Sequence, residues 1–455
     1  RTSAESWVPD QDPRDLARTL DLCLRVGEVL LSSGAGAADV TATMRVVAQA
    51  YGVRNPAVDV TFTQLAMGAQ TGPDETPVLQ MRGVTQRDID YEDLTRVDQL
   101  VREVAAGKVD VTEARARVAR IVSSGHARHR WAVTLGWGVM CAGVGLQLGG
   151  TAAVVAVAFV AAVAIDRLQL VMSRARLPFF YRQIAGGALA TLIAAVATRA
   201  ADPWVHMDAS AVVSANIIML LSGIGFMGAI QDALSGFYVT GGARLLEAVL
   251  ATAGVIGGVT GGLSLAAAVH LELPSLVPAR TDLTGIGVAA LGGAIGSAAF
   301  AFSAYAPRRA LVPIGILGAA ALAADLTIAL HHFAGAWSVG VAAFGVGLVS
   351  FAVAGRLRVP PLVVVVPAIV PMLPGLSIYQ GLSLLGASDH PAPAEGLLAM
   401  VAAGSIAIAL AAGVILGEYV AQPVAREARR VPQRLAGPRL VGVTRLRRRR
   451  SSGAE

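Results

Sequence analysis

The stretch NIIMLLSGIGFMGAIQDALSGFYVTGGARLLEAVLATAGVIGGVTGG, residues 216–262, decides the fold. It begins and ends with apolar residues of the kind that cross a membrane. Its middle holds glycines, then Gln231 and Asp232, and then Arg244 and Glu247. Membrane helices that break at glycines and carry polar groups at the break line the binding sites of transporters. The stretch therefore predicts a broken transmembrane helix with a site beside it.

The composition around this stretch is that of a multi-pass membrane protein. Of 455 residues, 55% are hydrophobic, and the mean hydropathy is +0.61. These values exceed those of soluble proteins. The net charge of +6 comes from arginine almost alone, since Lys108 is the single lysine. We assign this charge to membrane topology and expect no binding to nucleic acid.

The first 125 residues predict a small soluble α/β domain. Apolar residues recur at helical spacing in about 15–33, 37–51, 91–106 and 112–124. Two stretches rich in β-branched residues, VDVTFTQLAMG and TPVLQMRGV, predict a small antiparallel sheet. No motif orders the acids and hydroxyls of this domain, so we expect no enzyme. A separate sensing or enzymatic role of the domain stays open as an alternative.

Ten hydrophobic segments follow, each about long enough to cross the hydrocarbon layer. They lie at roughly 131–148, 150–166, 183–200, 210–230, 245–270, 283–305, 310–330, 335–354, 361–386 and 396–420. When the N-terminal domain is placed inside, arginines concentrate in the inside loops and the C-terminal tail. The positive-inside rule then predicts cytoplasmic N- and C-termini.

These segments define the expected domain borders. We expect a disordered N-terminus at 1–13, a cytoplasmic α/β domain at 14–125, a first transmembrane half at 126–274, a second at 275–421 and a basic cytoplasmic tail at 422–455.

A weaker copy of the opening stretch lies at 363–420, where Pro374–Gly375 occupies the place of Ser222–Gly223. The helices that follow both breaks carry glycines four residues apart, at Gly254, Gly258, Gly262 and at Gly413, Gly417. The copies lie five spans apart, so they run through the membrane in opposite directions. This predicts a polytopic α-helical membrane protein whose ten or so helices form an inverted 5+5 repeat with broken helices, the architecture of alternating access.

Residues beside the two breaks are the candidate substrate ligands. Half-helix N-termini bind a carboxylate, and carbonyl or acidic groups bind an ammonium, which suits a zwitterionic amino acid. The candidates are Asn216, Ser222, Gly223, Gln231 and Asp232 in the first repeat, and Pro374, Gly375, Ser377, Tyr379 and Gln380 in the second. For each polar candidate, hydrogen bonding between helices is the alternative role.

Four charged residues have separate assignments. Asp325 lies inside the seventh segment without a basic neighbour there, which makes it the candidate for proton coupling. A neutral carboxyl group in a helix–helix hydrogen bond is the alternative. Arg244 and Glu247 are candidates for a structural or gating role, with an intrahelical ion pair as the alternative. Glu418 is expected at the membrane interface. We find no metal-binding or nucleotide-binding motif, so no cofactor is expected.

Three stretches resemble the threonine/serine exporters, the ThrE-like family. They are LRVGEVLLSSGAGAADVTATMRVVAQAYGV at 24–53, GAIQDALSGFYVTGGARLLEAV at 228–249 and VPMLPGLSIYQGL at 370–382. Their shared order is more specific than any one of them. The positions that match the family pattern are Asp232, Gly236, Arg244, Glu247, Pro374 and Gly375.

The resemblance implies an exporter in the plasma membrane of a bacterium. It implies that L-threonine and L-serine leave the cytoplasm by antiport with protons, across the lipid bilayer. A carrier for another small metabolite, such as a dicarboxylate, is the alternative. No arginine lies deep in a predicted span, which favours an amino acid. A homo-oligomer stays open.

Overall fold

The computed structural model describes residues 13–70, 75–84, 89–126, 128–201, 207–220, 223–269, 285–331, 335–374, 377, 378, 380, 381, 384 and 392–428. Three of the candidate site residues, Ser222, Gly375 and Tyr379, lie outside these residues, as do most of the expected N-terminal and C-terminal tails.

The N-terminal region contains four helices and one antiparallel sheet. The helices are α1 (Pro13–Ser32), α2 (Ala37–Ala50), α3 (Tyr91–Ala105) and α4 (Val111–Ser123), and the strands are β1 (Ala57–Thr61), β2 (Gln64–Ala69) and β3 (Val78–Gly83), in the order β1-β2-β3. Aspartates begin two of the helices: Asp90 accepts hydrogen bonds from the backbone of Glu92 and Asp93 in α3, and Asp110 accepts one from Glu113 in α4.

The stretch VDVTFTQLAMG is a hairpin rather than one strand. β1 pairs with β2 and Thr61 lies opposite Gln64, so the chain reverses at Phe62 and Thr63. These two residues carry no glycine or proline turn signal, and the β-branched pattern continues across them, so the sequence alone does not reveal the reversal.

Eleven helices of the described chain follow. They are α5 (Arg130–Gln147), α6 (Ala152–Arg174), α7 (Phe179–Ala201), α8 (Ala209–Leu220), α9 (Gly223–Leu234), α10 (Tyr238–Ala268), α11 (Ile286–Ser303), α12 (Arg308–Leu330), α13 (Ala336–Leu357), α14 (Leu362–Ile369) and α15 (Ala392–Ala428). A 3₁₀ turn at Val370–Met372 extends α14.

Seven of these helices, α6, α7, α10, α11, α12, α13 and α15, are long and apolar enough to cross a membrane. The pair α8 and α9 makes an eighth candidate, bent by 45° at its break. α5 and the short α14 fall outside this set, although each overlaps a predicted segment. The described chain is therefore that of a polytopic helical membrane protein.

Glycines allow the closest helix pairs to touch backbone to backbone. A Cβ atom built on Gly258 of α10 would overlap the carbonyl of Ile184 in α7, and one on Gly417 of α15 would overlap that of Phe344 in α13. The small-xxx-small spacing predicts such contacts.

The N-terminal region packs directly on the membrane helices. One buried apolar cluster contains residues of α1 to α4 together with residues of α11, α12 and α14. The backbone N–H of Tyr91, at the start of α3, donates to the carbonyl of Ala304 at 2.9 Å, and the Arg128 guanidinium donates to the carbonyls of Phe302 and Ala306. The turn between α11 and α12 is therefore fixed to the N-terminal region.

Candidate functional site

The described helices are interrupted close to both predicted breaks. α8 is described as far as Leu220 and α9 from Gly223, and the pair is bent by 45°. Before Pro374, α14 gives way to the 3₁₀ turn, because Pro367 and Pro371 cannot donate helical hydrogen bonds. Gln147 of α5 donates from Nε2 to the carbonyl of Pro371 at 3.0 Å. A side chain thus supplies a donor to a carbonyl at the interruption.

Residues of α9 share buried clusters with residues on both sides of the second predicted break. Met227 belongs to one cluster with Val365 and Met372, which precede that break. Phe226, its neighbour, belongs to another with Ile378, which follows it. Apolar packing thus connects α9 to the region of the second interruption.

Asn216 is the most buried of the candidate ligands. It is fully buried in α8, and its Nδ2 donates to the Val212 carbonyl of its own helix at 2.9 Å. Its Oδ1 has no hydrogen-bond partner within the part of the chain that the structure describes. A buried amide oxygen without a partner is costly unless a ligand or water satisfies it.

The remaining described candidates are less buried or lie at the break itself. Ser377 and Gln380 are half-buried on helical backbone after the second break, and Pro374 is buried just before it. Gly223 forms the first residue of α9. Gln231, near the end of α9, lines a cavity between the membrane helices and the N-terminal region.

Asp232 and Arg244 connect the membrane helices to the N-terminal region. Asp232 Oδ2 lies 3.0 Å from Arg244 NH1, and both side chains are buried. Asp232 Oδ1 accepts a hydrogen bond from the backbone N–H of Ala37 at 2.8 Å, and Arg244 NH2 donates to the carbonyl of Ala35 at 3.0 Å. We call these four residues the interdomain clasp.

The clasp completes the N-terminus of α2. Its N-cap, Gly36, has no side chain to accept the first free N–H groups of the helix. Asp232 supplies the missing acceptor and a negative charge at the positive end of the helix dipole. A Cβ at Gly36 would lie 3.3 Å from Asp232 Oδ1, so this position has little room for a side chain.

Two further residues of the family pattern lie beside the clasp. Gly236 has a φ of +89°, in the left-handed region that glycine enters at little cost, and it ends α9 so that α10 can begin. Glu247 lies on the exposed face of α10, whereas Arg244, one turn earlier, is directed to Asp232.

Asp325 lies toward the C-terminal end of α12. It is half-buried, five residues before the helix ends at Leu330, or about 7 Å along the axis. It lies near Ser338 in the first turn of α13, whose hydroxyl donates to the carbonyl of Gly335 at 3.0 Å. It is not among the residues that line the cavity at Gln231.

Three acidic residues line that cavity, Asp39, Asp98 and Glu418, and no sequence pattern singles out the first two. Glu418, which the sequence analysis expects at the membrane interface, is 6% exposed because other parts of the protein cover it. The region that covers it belongs to the distant N-terminal part of the chain, which hydropathy cannot anticipate. Asp39 follows the glycine-rich turn before α2 and carries no signal of its own.

A second polar cluster lies where the N-terminal region meets α5. His126 Nε2 is 3.1 Å from Asp90 Oδ2, and ligand atoms of Asp90, Asp93 and His126 all lie within 4.8 Å of one another. Burial, and then the charge of Asp90, raise the pKa of Asp93 to about 6. A divalent cation could use such donors, but Asp90 already accepts two backbone N–H groups as the N-cap of α3.

Apolar helices, two packed interruptions and buried polar groups beside them define the class of multi-pass membrane transporters. Comparison with known sequences narrows this class to one family. Residues 21–266 match the family described as "Putative threonine/serine exporter", and residues 289–420 match "Threonine/Serine exporter, ThrE". The chain belongs to the threonine/serine exporter family and is a transporter rather than an enzyme.

Two relatives match along most of their length. One is the "Probable threonine/serine exporter" of Mycobacterium tuberculosis (strain ATCC 25618 / H37Rv), 34% identical over 92% of this chain and 80% of the relative. The other is the "Threonine/serine exporter" of Corynebacterium glutamicum, 30% identical over 93% of this chain and 86% of the relative. No solved structure matches the chain.

Proposed function

We propose that the protein is a secondary active exporter of L-threonine and L-serine, driven by the proton motive force. The observation that carries the proposal is that α9 shares buried apolar clusters with residues on both sides of the second break. A substrate held there would meet the free backbone groups of two interrupted helices. The names of the two relatives support the choice of substrate.

The ten spans form an inverted 5+5 repeat in this proposal, and the helix ends support it. The last residues of α5 and α6 are Gln147 and Arg174, and those of α11 and α12 are Ser303 and Leu330. Each of the first pair precedes its counterpart by 156 residues (303 minus 147, 330 minus 174). A constant offset over two helices is expected if a five-span unit was duplicated.

The helix contacts repeat as well. α5–α6, α6–α7, α7–α10 and α7–α8 contacts are matched by α11–α12, α12–α13, α13–α15 and α13–α14 contacts. In α7–α10, Gly258 meets Ile184 and Gly262 meets Ala188; in α13–α15, Gly413 meets Gly340 and Gly417 meets Phe344. This register equates Gly258 and Gly262 with Gly413 and Gly417. Comparison of the sequence motifs alone would align Gly254 and Gly258 with Gly413 and Gly417. The two alignments differ by one helical turn of α10.

Alternating access follows from such an arrangement. Each repeat can pack in the conformation of the other, so the two conformations open the site to opposite sides. We place residues 14–125 and both termini in the cytoplasm of a bacterium, with 126–274 and 275–421 as the two halves in the plasma membrane. Asn216, Ser377 and Gln380, with the backbone at both breaks, are the proposed ligands of the central site, whereas Gln231 lines the cavity toward the N-terminal region.

Asp325 is the proposed proton-coupling residue. It is a carboxyl group inside an apolar helix, near the hydroxyl of Ser338. A carboxyl group in such a place can exchange a proton as the helices rearrange. Full proton-coupled transport by Asp325→Asn would contradict this role.

Threonine export can be tested in cells that are fed a threonine dipeptide. Cells that lack their own exporters should accumulate free threonine, and expression of this chain should lower that pool. Collapse of the proton gradient should abolish the difference. An unchanged threonine pool at verified expression in the membrane would contradict the proposal.

A further inference from the structure

The cavity at Gln231 is built by both parts of the molecule. α2 and α3 contribute Asp39 and Asp98, and the membrane helices α9, α14 and α15 contribute Gln231, Val365 and Glu418. Its volume is about 90 Å³, several times the space that one water molecule needs. We call it the acidic cavity. Gln231 lies eight residues beyond the start of α9, about 12 Å from the break, so the acidic cavity is distinct from the proposed site between the breaks.

Glu418 is the central group of the acidic cavity. It is 6% exposed, and it makes no hydrogen bond or ion pair with any residue that the structure describes. Its side chain lines the cavity. A buried carboxylate without a partner is unfavourable, so a proton or a bound cation must neutralise it.

None of the side chains that the structure describes around Glu418 supplies that cation. The charged residue that acts electrostatically on Glu418 is Asp39 of α2, and this residue is acidic too. Asp98 of α3 is paired with Arg102 at 2.7 Å. α14 carries no titratable residue, and α13 meets α15 through Gly347, whose Cβ would contact the backbone of Glu418. On α9 the acid beside Gln231, Asp232, is paired with Arg244 in the clasp.

We propose that the acidic cavity binds the α-ammonium group of an amino acid on its way to the breaks, with Glu418 as the main anionic partner. An ammonium group has three N–H donors, and the residues that line the cavity include Glu418, Asp39 and Gln231, whose side chains all carry oxygen acceptors. The identity of the amino acid as threonine or serine rests on the proposed function. A monovalent metal ion would supply the same charge without the directed N–H groups, and the experiment separates the two.

The test measures threonine binding to the purified full-length protein in lipid nanodiscs by titration calorimetry. Glu418→Gln keeps the shape of the side chain and should raise the Kd for threonine at least tenfold. Glu395→Gln alters an exposed glutamate near the other end of α15 and should leave the Kd unchanged. Methylammonium should displace threonine from the wild type, and potassium at the same concentration should not.

Several outcomes would overturn the inference. One is a Glu418→Gln protein that binds threonine as the wild type does, and another is displacement by potassium as effective as by methylammonium. If Glu418→Gln does not fold, Asp39→Asn in the N-terminal region replaces it, and an unchanged Kd there would count against the inference equally. If the wild type binds no threonine, the proposed substrate fails. Methylammonium titrated directly then tests the cavity: binding that Glu418→Gln abolishes supports it, and equal binding refutes it.

Discussion

At the scale of single residues, a mutation of Asn216 should change the transport rate without changing the stability of the protein. The amide oxygen of Asn216 is buried without a described partner, so removal of the amide should cost little stability. Asn216→Leu should therefore unfold at about the wild-type temperature and transport threonine at least tenfold more slowly. Thr191→Val is the matched control, because Thr191 is equally buried and donates to Gly187 of its own helix. A wild-type rate in Asn216→Leu would remove Asn216 from the site.

The interdomain clasp gives a second prediction at this scale. Asp232→Asn leaves the Arg244 charge buried without its partner, which should lower the free energy of unfolding by about 3–5 kcal/mol. Thermal denaturation in detergent measures this, and Arg309→Gln, an exposed arginine on α12, should have almost no effect.

An exchange of the two charges tests how the clasp works. Asp232 also accepts the N–H of Ala37, and arginine has no acceptor for it. Asp232→Arg combined with Arg244→Asp should therefore not restore stability, whereas an ordinary ion pair would be restored. Recovery of the wild-type melting temperature would contradict the role of Asp232 as a cap of α2.

Sequence reasoning found the two charged residues of the clasp but not their contacts. Polar residues beside a break in a membrane helix indicate a binding site. For this reason the sequence predicts Asp232 as a substrate ligand and Arg244 as a structural or gating residue. The structure directs both to Ala35 and Ala37, about 200 residues earlier in the chain. Periodicity reports local structure, and no local signal shows that a membrane aspartate completes the N-terminus of a helix in another region.

At the scale of elements, the glycine contacts predict opposite effects at neighbouring positions. Gly258→Ala should destabilise the protein by about 1–3 kcal/mol, because the new methyl group pushes α10 away from Ile184. Gly257→Ala faces open space and should stabilise helix α10 by about 0.5–1 kcal/mol. Thermal unfolding of both variants checks the difference. Equal effects would show that α7 and α10 are not in backbone contact.

The start of α3 gives a prediction about pH. The pKa of Asp93 is raised to about 6 by burial, so between its ordinary value of 3.8 and about 6 the folded protein binds more protons than the unfolded chain. The stability that this group contributes is therefore present at low pH and lost as the pH rises through 6.

Asp93→Asn should weaken that dependence. The melting temperature of the wild type should fall from pH 5 to pH 7 by more than that of the variant. Burial also raises the pKa values of Asp90 and Asp98, so part of the fall should remain. An identical fall in both proteins would contradict the assignment.

At this scale the sequence was a better guide than at the scale of residues. Hydropathy located every described membrane helix, and the spacing of glycines identified the helix faces that pack closely. Hydropathy underestimated the lengths of helices that continue through polar residues. α6 continues to Arg174, and α10 begins at Tyr238, before Arg244. Hydropathy indicates which residues lie in the hydrocarbon layer, whereas the hydrogen bonds of a helix can continue through polar residues beyond that layer.

At the scale of the whole molecule, the proposed arrangement of ten spans with cytoplasmic termini predicts which surfaces face which side of the membrane. The two native cysteines, Cys23 and Cys141, are buried, so a maleimide should label only an exposed cysteine that is introduced by mutation. Lys108→Cys, exposed in the N-terminal region, should react with an impermeant maleimide in inverted vesicles but not in intact cells. Trp337→Cys, where residue 337 is 76% exposed at the start of α13, should show the reverse. Labelling of both from the same side would contradict ten spans with cytoplasmic termini.

The central claim is threonine antiport with protons, and purified protein in liposomes tests it most directly. Liposomes loaded with labelled threonine should release it faster when the outside is made acidic, and an ionophore that collapses the gradient should remove the acceleration. Asp325→Asn should still exchange threonine for threonine but lose the acceleration. Release that the pH gradient does not change, at a verified amount of folded protein, would contradict the account.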